Sequence, residues 1–476
     1  MQPPYRKKQI IPLDVVDLAF GGRGIAREND YVWFVDGGIP GQRVMARIYH
    51  IRKQFGEARA VETVKPSPDQ VDPACPYFGV CGGCQLQHLR YERQVEAKTR
   101  QVKDILERIG GFRDVDVLPT LPAPEIYGYR NKMEFTFSDL RWTLENDASD
   151  KPADFALGLH VPGRFDKVLD IDVCPLQSDR ANGILKTVQE RILETGLPPY
   201  GARSHRGVWR FLVLREGKNT GDLMVHFITS GQEIARTREA VDGLAETLAA
   251  RHPEITTITH ATTDRLSQVA YGEQERTLLG TGKIRETLRG RTFEISSGSF
   301  FQTNTGQAER LFEKVSELAE LSGTECVYDL YCGAGAIGLS IADRVRRVVG
   351  VEAVEPAVRD ALRNAEINGI TNVVFAAGDM KDALRDRVFQ SEFDPPDVVI
   401  LDPPRGGTHP SAIRDVLALD APKIVYVSCN PPILARDAKT LCETAYDLKI
   451  VQPVDMFPHT GHVEAVAVFR RRTAAP

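Results

Sequence analysis

Five short runs rich in valine and isoleucine constrain this chain more than any other feature. They are CVYDLYC at 326–332, RRVVGVEA at 346–353, NVVFAAGD at 372–379, DVVILDPP at 397–404 and KIVYVSC at 423–429, with helix-length segments between them. Strands that are apolar throughout, rather than at every second residue, belong in a parallel sheet covered on both faces. Strands alternating with helices make an α/β layer architecture. Residues 291–476 are therefore expected to form a Rossmann-like α/β domain.

The rest of the 476-residue chain exceeds that domain, and length alone suggests about three domains. Within residues 1–66, positions 9–64 alternate apolar and polar with glycine punctuation (IIPLDVVDLAF, GGRGIAR, YVWFVDG, QRVMARIYHIR, GEARAVETV). Four or five short strands of this kind predict a small β-barrel. Residues 67–290 read as a mixed α+β central domain. It begins after the Pro-rich joint KPSPDQVDPAC and holds strand-like NKMEFTF and LMVHFIT. Within it, YERQVEAKTRQVKDILERIGGF has apolar residues at helical spacing and a glycine stop, and AVDGLAETLAAR reads as a second helix. The basic N-terminus is not followed by an apolar h-region, and no apolar run is long enough to span a bilayer. The expectation is a cytoplasmic monomer with no membrane association and no obligate protein partner. A net charge of −5 does not advertise a nucleic-acid binder, although residues 1–64 carry ten Lys/Arg against seven Asp/Glu.

Gly333, Gly335 and Gly338 spell G-x-G-x-x-G directly after the first apolar run, the pattern of a dinucleotide-binding turn. In an open parallel sheet the ligand lies beyond the carboxyl ends of the strands, so the residues there discriminate between ligands. Glu352, at the second strand end, would hold a ribose diol in either an NAD enzyme or an S-adenosylmethionine (AdoMet) enzyme. Asp329, four residues before Gly333, sits poorly beside a doubly charged pyrophosphate and well beside a sulfonium or ammonium. Asp379 ends the third strand and suits an adenine amino group. AdoMet is the expected ligand. At the fourth strand end LDPPRGG places Asp402 on a stiff loop. Amino-group methyltransferases carry an acidic-Pro-Pro stretch followed by an aromatic; Arg405 stands here instead and disfavours that reading.

Cys429 ends the fifth run, just before a helix opened by Pro431-Pro432. The helix dipole at this position favours a thiolate. Methyl transfer to oxygen or nitrogen needs no thiolate, but transfer to an inert carbon does. Addition of sulfur to C6 of a pyrimidine makes C5 nucleophilic, and a base must then remove the C5 proton. The tail MFPHTGHVEAVAVF supplies Glu464 as that base, with His459 and His462 nearby. Elsewhere, CPYFGVCGGC and IDVCPLQ set Cys75, Cys81, Cys84 and Cys174 apart from the other cysteines. Their spacing leaves zinc, an iron–sulfur cluster and uncorrelated structural cysteines open. It lacks the C-x3-C-x2-C of radical AdoMet enzymes. Arg130 and Lys132 in YRNKMEF are candidate phosphate contacts, and Phe300 or Phe301 candidate stacking partners for a flipped base.

The motifs SFFQTN, DLYCGAGAIGL, LDPPRGG, VSCNP and HTGHVEAV stand in the order found in RNA uracil-C5 methyltransferases. The chain resembles that family over nearly its whole length, and GGRGIAR resembles the RNA-gripping TRAM (OB-like) barrel. The resemblance implies Cys429 as nucleophile and Glu464 as base. It places Gln302, Tyr331, Glu352 and Asp402 on AdoMet, with Asp379 joining them above the Gly333/Gly335 loop, and Asp402 also near the uracil. It implies a 4Fe–4S cluster on Cys75, Cys81, Cys84 and Cys174, with a structural or RNA-positioning role. Ala336 departs from members that have a polar residue there. The barrel and the cysteines favour the RumA-like branch, which acts on 23S ribosomal RNA; the TrmA-like branch, which acts on transfer RNA, shares the C-terminal motifs. Rival readings are an amino-group methyltransferase and an inert RNA-binding iron–sulfur protein.

Overall fold

The computed structural model describes residues 5–28, 30–144, 151–385 and 393–472. Near the N-terminus β1 (Ile10–Leu18), β2 (Gly24–Glu28), β3 (Tyr31–Asp36), β4 (Arg43–Ile51) and β5 (Phe55–Lys65) close into a barrel of order β1-β2-β3-β5-β4. Strict inside–outside alternation along β1 and β3 puts Leu13, Val15, Trp33 and Val35 in its core. The expected barrel is present.

Helix α1 (Tyr91–Ile105) follows. Its apolar spacing predicts an apolar buried face, yet Gln94, Lys98 and Gln101 lie buried on it beside Ala97 and Val102. Their donors are satisfied, which is the condition for burying them, while Gln101 Oε1 has no hydrogen-bond partner among the described residues. Gln101 Nε2 donates to the carbonyls of Leu18 (3.2 Å) and Ala19 (3.1 Å) at the end of β1. Lys98 Nζ meets Asp455 Oδ1 at 2.6 Å. The helix is a polar strut from the barrel to the C-terminal sheet. The chain then adds β6 (Asp116–Val117) to that sheet, a pairing for which the sequence offered no sign.

The central sheet has the order β14-β13-β12-β11-β7-β9-β10-β8. Its strands are β7 (Lys132–Ser138), β8 (Arg141–Trp142), β9 (Ala156–His160), β10 (Val168–Asp170), β11 (Trp209–Glu216), β12 (Leu223–Thr229), β13 (Thr257–Thr262) and β14 (Gln274–Leu279). Helices α2 (Asp179–Ile192) and α3 (Ile234–Arg251) pack on it through Ile184, Val188, Val241 and Leu248. A hairpin of β15 (Lys283–Leu288) and β16 (Arg291–Ser296) leads to α4 (Thr305–Ala319).

The C-terminal sheet is β19-β18-β17-β20-β21-β23-β22-β6. It contains β17 (Cys326–Leu330), β18 (Arg347–Glu352), β19 (Val373–Ala377), β20 (Val398–Leu401), β21 (Lys423–Ser428), β22 (Tyr446–Val454) and β23 (Glu464–Arg471). The first five are parallel, and β23 runs antiparallel to both neighbours. Every residue of β17, β20 and β21 is buried, as continuous apolar strands require. One face packs Tyr328, Leu401, Tyr426 and Leu441, the other Phe312, Leu339, Ile400 and Val427. Strand order reverses between β17 and β20, the place where such sheets open a crevice.

Candidate active site

The carboxyl ends of β17, β18 and β19 carry one group of candidates. Gly333 and Gly335 both adopt positive φ (55° and 78°), turning the chain from β17 into the short helix α5 (Ala336–Ile341). Glu352 braces the loop: its Oε2 accepts the Gly333 N–H at 3.0 Å and its Oε1 the Val354 N–H at 2.9 Å. A side chain built at Gly333 would meet nothing within 4 Å, so space lies open above it. Tyr331, itself at φ 65°, has a hydroxyl pushed up to about 12 by burial and by the nearby charges of Asp379, Asp437 and Glu352. The same hydroxyl bonds Thr408. Thr408 and Tyr426 are held by the buried Asp437, whose Oδ2 takes the Thr408 N–H (3.1 Å) and the Tyr426 hydroxyl (2.8 Å). Asp437, on α6 (Pro431–Thr444), was not singled out in the sequence; only its place in the second turn of the motif-bearing helix hinted at it.

Asp329 corrects an expectation. It is fully buried, and its Oδ2 accepts the Gly338 N–H of α5 at 2.9 Å. It holds the glycine loop from beneath instead of lining the crevice. Its pKa is raised to about 7 by burial, with Asp402 and Glu352 adding to the effect.

The ends of β20, β21 and β23 carry the second group. Cys429 follows β21 and Asp402 follows β20, while Glu464 opens β23 opposite Val454. The expectation for an isolated glutamate before a strand is a surface position, but Glu464 is 5% exposed. Burial first, and then the charge of Asp402, push its pKa up to about 8 against the opposing charge of Arg405. Asp402 is raised by burial to about 7. Cys429 differs from the helix-dipole argument: burial and the charges of Glu464 and Asp402 raise its pKa, and Arg405 works against them. Desolvation and two carboxylates outweigh one helix end. Arg405, read from the sequence only as a sign against amino methylation, is thus a cation that acts on both Cys429 and Glu464. The two groups meet, since Asp402 also acts on Asp329.

His459 is not a catalytic neighbour of Glu464 but part of its scaffold. It is buried, stacked on Tyr127 at 4.4 Å, and pushed down to about 4 by burial. His462 is exposed and its pKa lowered, first by burial and then by Arg405, Lys98 and Arg130. Gln302 lies between β16 and α4, where its carbonyl accepts Asn131 Nδ2 at 2.9 Å. Phe301 packs on Phe293 in the core, whereas Phe300 is 72% exposed. Lys132 forms an ion pair with Glu134, and Arg130 Nε donates to the Lys132 carbonyl at 2.9 Å.

Cys75, Cys81, Cys84 and Cys174 are free thiols; Cys174 belongs to the central core, and Cys81 and Cys84 pack against it. Burial raises all four, Cys81 to about 11 and Cys84 to about 12, and charge on neighbouring cysteines adds to the rise at Cys81, Cys84 and Cys174. Among the described residues no three His, Cys, Asp or Glu side chains are grouped as ligands of a metal ion.

A family model described as tRNA (Uracil-5-)-methyltransferase matches residues 223–472, and a TRAM domain model matches residues 6–61. The chain is 42% identical to an uncharacterized RNA methyltransferase of Chlorobaculum tepidum, covering 98% of this chain and 97% of that protein. It is 36% identical to one of Halalkalibacterium halodurans, with 98% of each covered. Its fold is similar to the crystal structure of the Pyrococcus abyssi tRNA (uracil-54, C5)-methyltransferase in complex with S-adenosyl-L-homocysteine. The TM-score is 0.73 at 30% identity, over 96% of this chain and 100% of that one.

Proposed function

The chain belongs to the tRNA (uracil-5-)-methyltransferase family, and from that premise we propose that it methylates C5 of a specific uridine in RNA through a covalent bond between Cys429 and uracil C6. The observation that carries this reading is the meeting of Cys429, Glu464, Asp402 and Arg405 at one sheet edge. A thiol, a base held near neutrality and a cation are what addition and elimination at a pyrimidine ring require.

S-adenosylmethionine, when bound, supplies an electrophilic methyl group. The residues present fit it: open space above Gly333, the Glu352 carboxylate bracing the loop, and Tyr331 and Asp379 beside it. Gln302 and Asp402 complete the set. Cys429 forms the S–C6 bond, and the C5=C6 electrons move onto the ring so that C5 becomes nucleophilic. Cys429 gives up its S–H proton to solvent before attack, and Arg405 stabilises the sulfur anion left behind. Once C5 carries both its methyl and its hydrogen, Glu464 takes that proton. The C–H electrons remake C5=C6, and the S–C6 pair returns to Cys429.

The four-cysteine pocket is proposed to hold a 4Fe–4S cluster. Burial makes each of the four thiols resist ionising, and a cationic cluster held among them would reverse that cost. Arg130 and Lys132 are proposed to face RNA phosphates. For the RNA itself, the barrel and the cysteines argue for 23S ribosomal RNA. Transfer RNA is the second reading, favoured by one observation: the similar Pyrococcus abyssi enzyme is a tRNA (uracil-54, C5)-methyltransferase, and the similarity extends over 96% of this chain.

The test is to incubate the protein and AdoMet with unmodified transcripts of 23S rRNA and of tRNA, then digest and map 5-methyluridine. The proposal expects product on one class at one or few positions, and none with Cys429→Ala. Product on neither class, or methylated amino groups instead, contradicts it.

A further inference from the structure

The segment carrying Glu464 is clamped from outside its own domain. Between β22 and β23 the chain runs through Asp455–Val463, and five other segments reach into it. From the four-cysteine loop, the N–H groups of Gln85 and Leu86 both donate to the His459 carbonyl, at 3.0 and 2.9 Å. The Gln85 side chain does more: its Oε1 accepts the Gly461 N–H at 3.2 Å, and its Nε2 donates to the Gly82 carbonyl at 3.1 Å. One glutamine thus ties a residue between Cys81 and Cys84 to a residue three before Glu464. From the barrel, the Gly21 N–H donates to the Gly461 carbonyl at 3.3 Å. A Cβ at Gly461 would lie 2.1 Å from the Gly21 carbonyl carbon, so only glycine fits there.

The opposite side is held by α1. Gln94 Oε1 accepts the His459 N–H at 3.0 Å and its Nε2 lies 3.2 Å from His459 Nδ1. Tyr127 stacks on the imidazole, and Tyr129 donates its hydroxyl to the Pro458 carbonyl at 3.3 Å. Asn304 Nδ2 donates to the Met456 carbonyl at 3.1 Å. His459 adopts φ 67°, a backbone conformation uncommon outside glycine and asparagine, and these contacts hold it there. Pairing of β23 with β21 and β22 sets Glu464 along the strand. The loop sets how the first residue of that strand turns into the crevice.

We propose that Gln85 is a positioning residue for Glu464, carrying the geometry of the four-cysteine loop to the base that removes the C5 proton. This rests on the reading of Glu464 as that base. Cys429 and the residues at the ends of β17–β19 lie on elements that Gln85 does not touch. Loss of Gln85 therefore slows one step only: transfer of the C5 proton to Glu464, with re-formation of C5=C6 and return of the S–C6 pair to sulfur. The methylated enzyme–RNA adduct accumulates ahead of that step.

The experiment compares wild type, Gln85→Ala, Gln85→Met, Gln85→Glu and Glu464→Gln on ordinary uridine transcripts of 23S rRNA and tRNA with AdoMet. The covalent complex is read on denaturing gels, with AdoMet affinity and iron content measured beside it. Gln85→Ala is expected to turn over on the order of 10–100-fold more slowly and to accumulate the adduct, with unchanged AdoMet affinity. Gln85→Met, which keeps bulk and loses both side-chain bonds, does the same if the alanine variant does not fold. Gln85→Glu keeps the acceptor for Gly461 and restores turnover. If Glu464→Gln accumulates adduct but neither Gln85→Ala nor Gln85→Met does, the positioning role is overturned while the base assignment stands. If Glu464→Gln accumulates none, the base assignment falls and this inference with it.

Discussion

The charge of Asp402 adds to burial in raising the pKa of Glu464, which stands at about 8 with Arg405 opposing both. At pH 7 such a group is roughly one-tenth ionised. A general base works as the carboxylate, so the proton-abstraction rate is expected to climb with pH up to about 8 and then level off. Asp402→Asn removes the neighbouring negative charge and shifts that limb to lower pH. Single-turnover rates of adduct decay across pH 6–9 (an approximate working range) read both effects.

The same group makes a stability statement. The folded chain keeps the Glu464 proton up to about pH 8, while the unfolded chain releases it near the ordinary glutamate value. Between those limits the native state binds the extra proton, so stability falls as pH rises through that window and is flat above it. Glu464→Gln is expected to be more stable than wild type at pH 8, by on the order of a kcal/mol or more, with the difference vanishing near pH 4. Urea titrations at the two pH values check it.

Arg405 lowers the pKa of both Cys429 and Glu464. Arg405→Ala therefore raises both, and the loss of activity is expected to shrink as pH rises. Arg405→Lys keeps the charge and retains most of the wild-type pH profile. Thiol alkylation rates of Cys429 against pH provide a readout free of RNA.

Lys98 and Asp455 form an ion pair with 1% and 0% of their side chains exposed. Asp455→Ala leaves a buried ammonium without its partner and is expected to cost about 3–5 kcal/mol. Glu96→Ala removes an exposed partner of Arg93 and should cost less than about 1 kcal/mol. Chemical denaturation separates the two.

The sheet was legible in the sequence because strands buried on both faces must be apolar throughout, and β17, β20 and β21 are. The barrel was legible from alternation. Glu464 was singled out through the chemistry proposed for Cys429, and its burial beside that thiol was not legible, since nothing local distinguishes it from a surface glutamate. Asp329 was misplaced because sequence shows that a carboxylate ends a strand, not whether it turns toward the crevice or under the loop. The state of Cys429 was misjudged because helix dipoles can be read from spacing, whereas desolvation and carboxylates from distant segments cannot. Gln85, Gln94 and Lys98 escaped notice for a related reason. Polar residues on a helix or in a loop look solvated until the chain brings partners from far along the sequence, as Lys98 shows with Asp455, 357 residues on.

The covalent bond itself is the claim to test most directly. RNA carrying 5-fluorouridine at the target position cannot lose its C5 substituent as a proton, so elimination stops. With AdoMet, the wild-type protein is expected to form a one-to-one complex stable to denaturation, with the RNA linked to the peptide containing Cys429, and Cys429→Ala is expected to form none. A complex linked at another residue, or 5-methyluridine made from ordinary RNA by Cys429→Ala, would contradict the account.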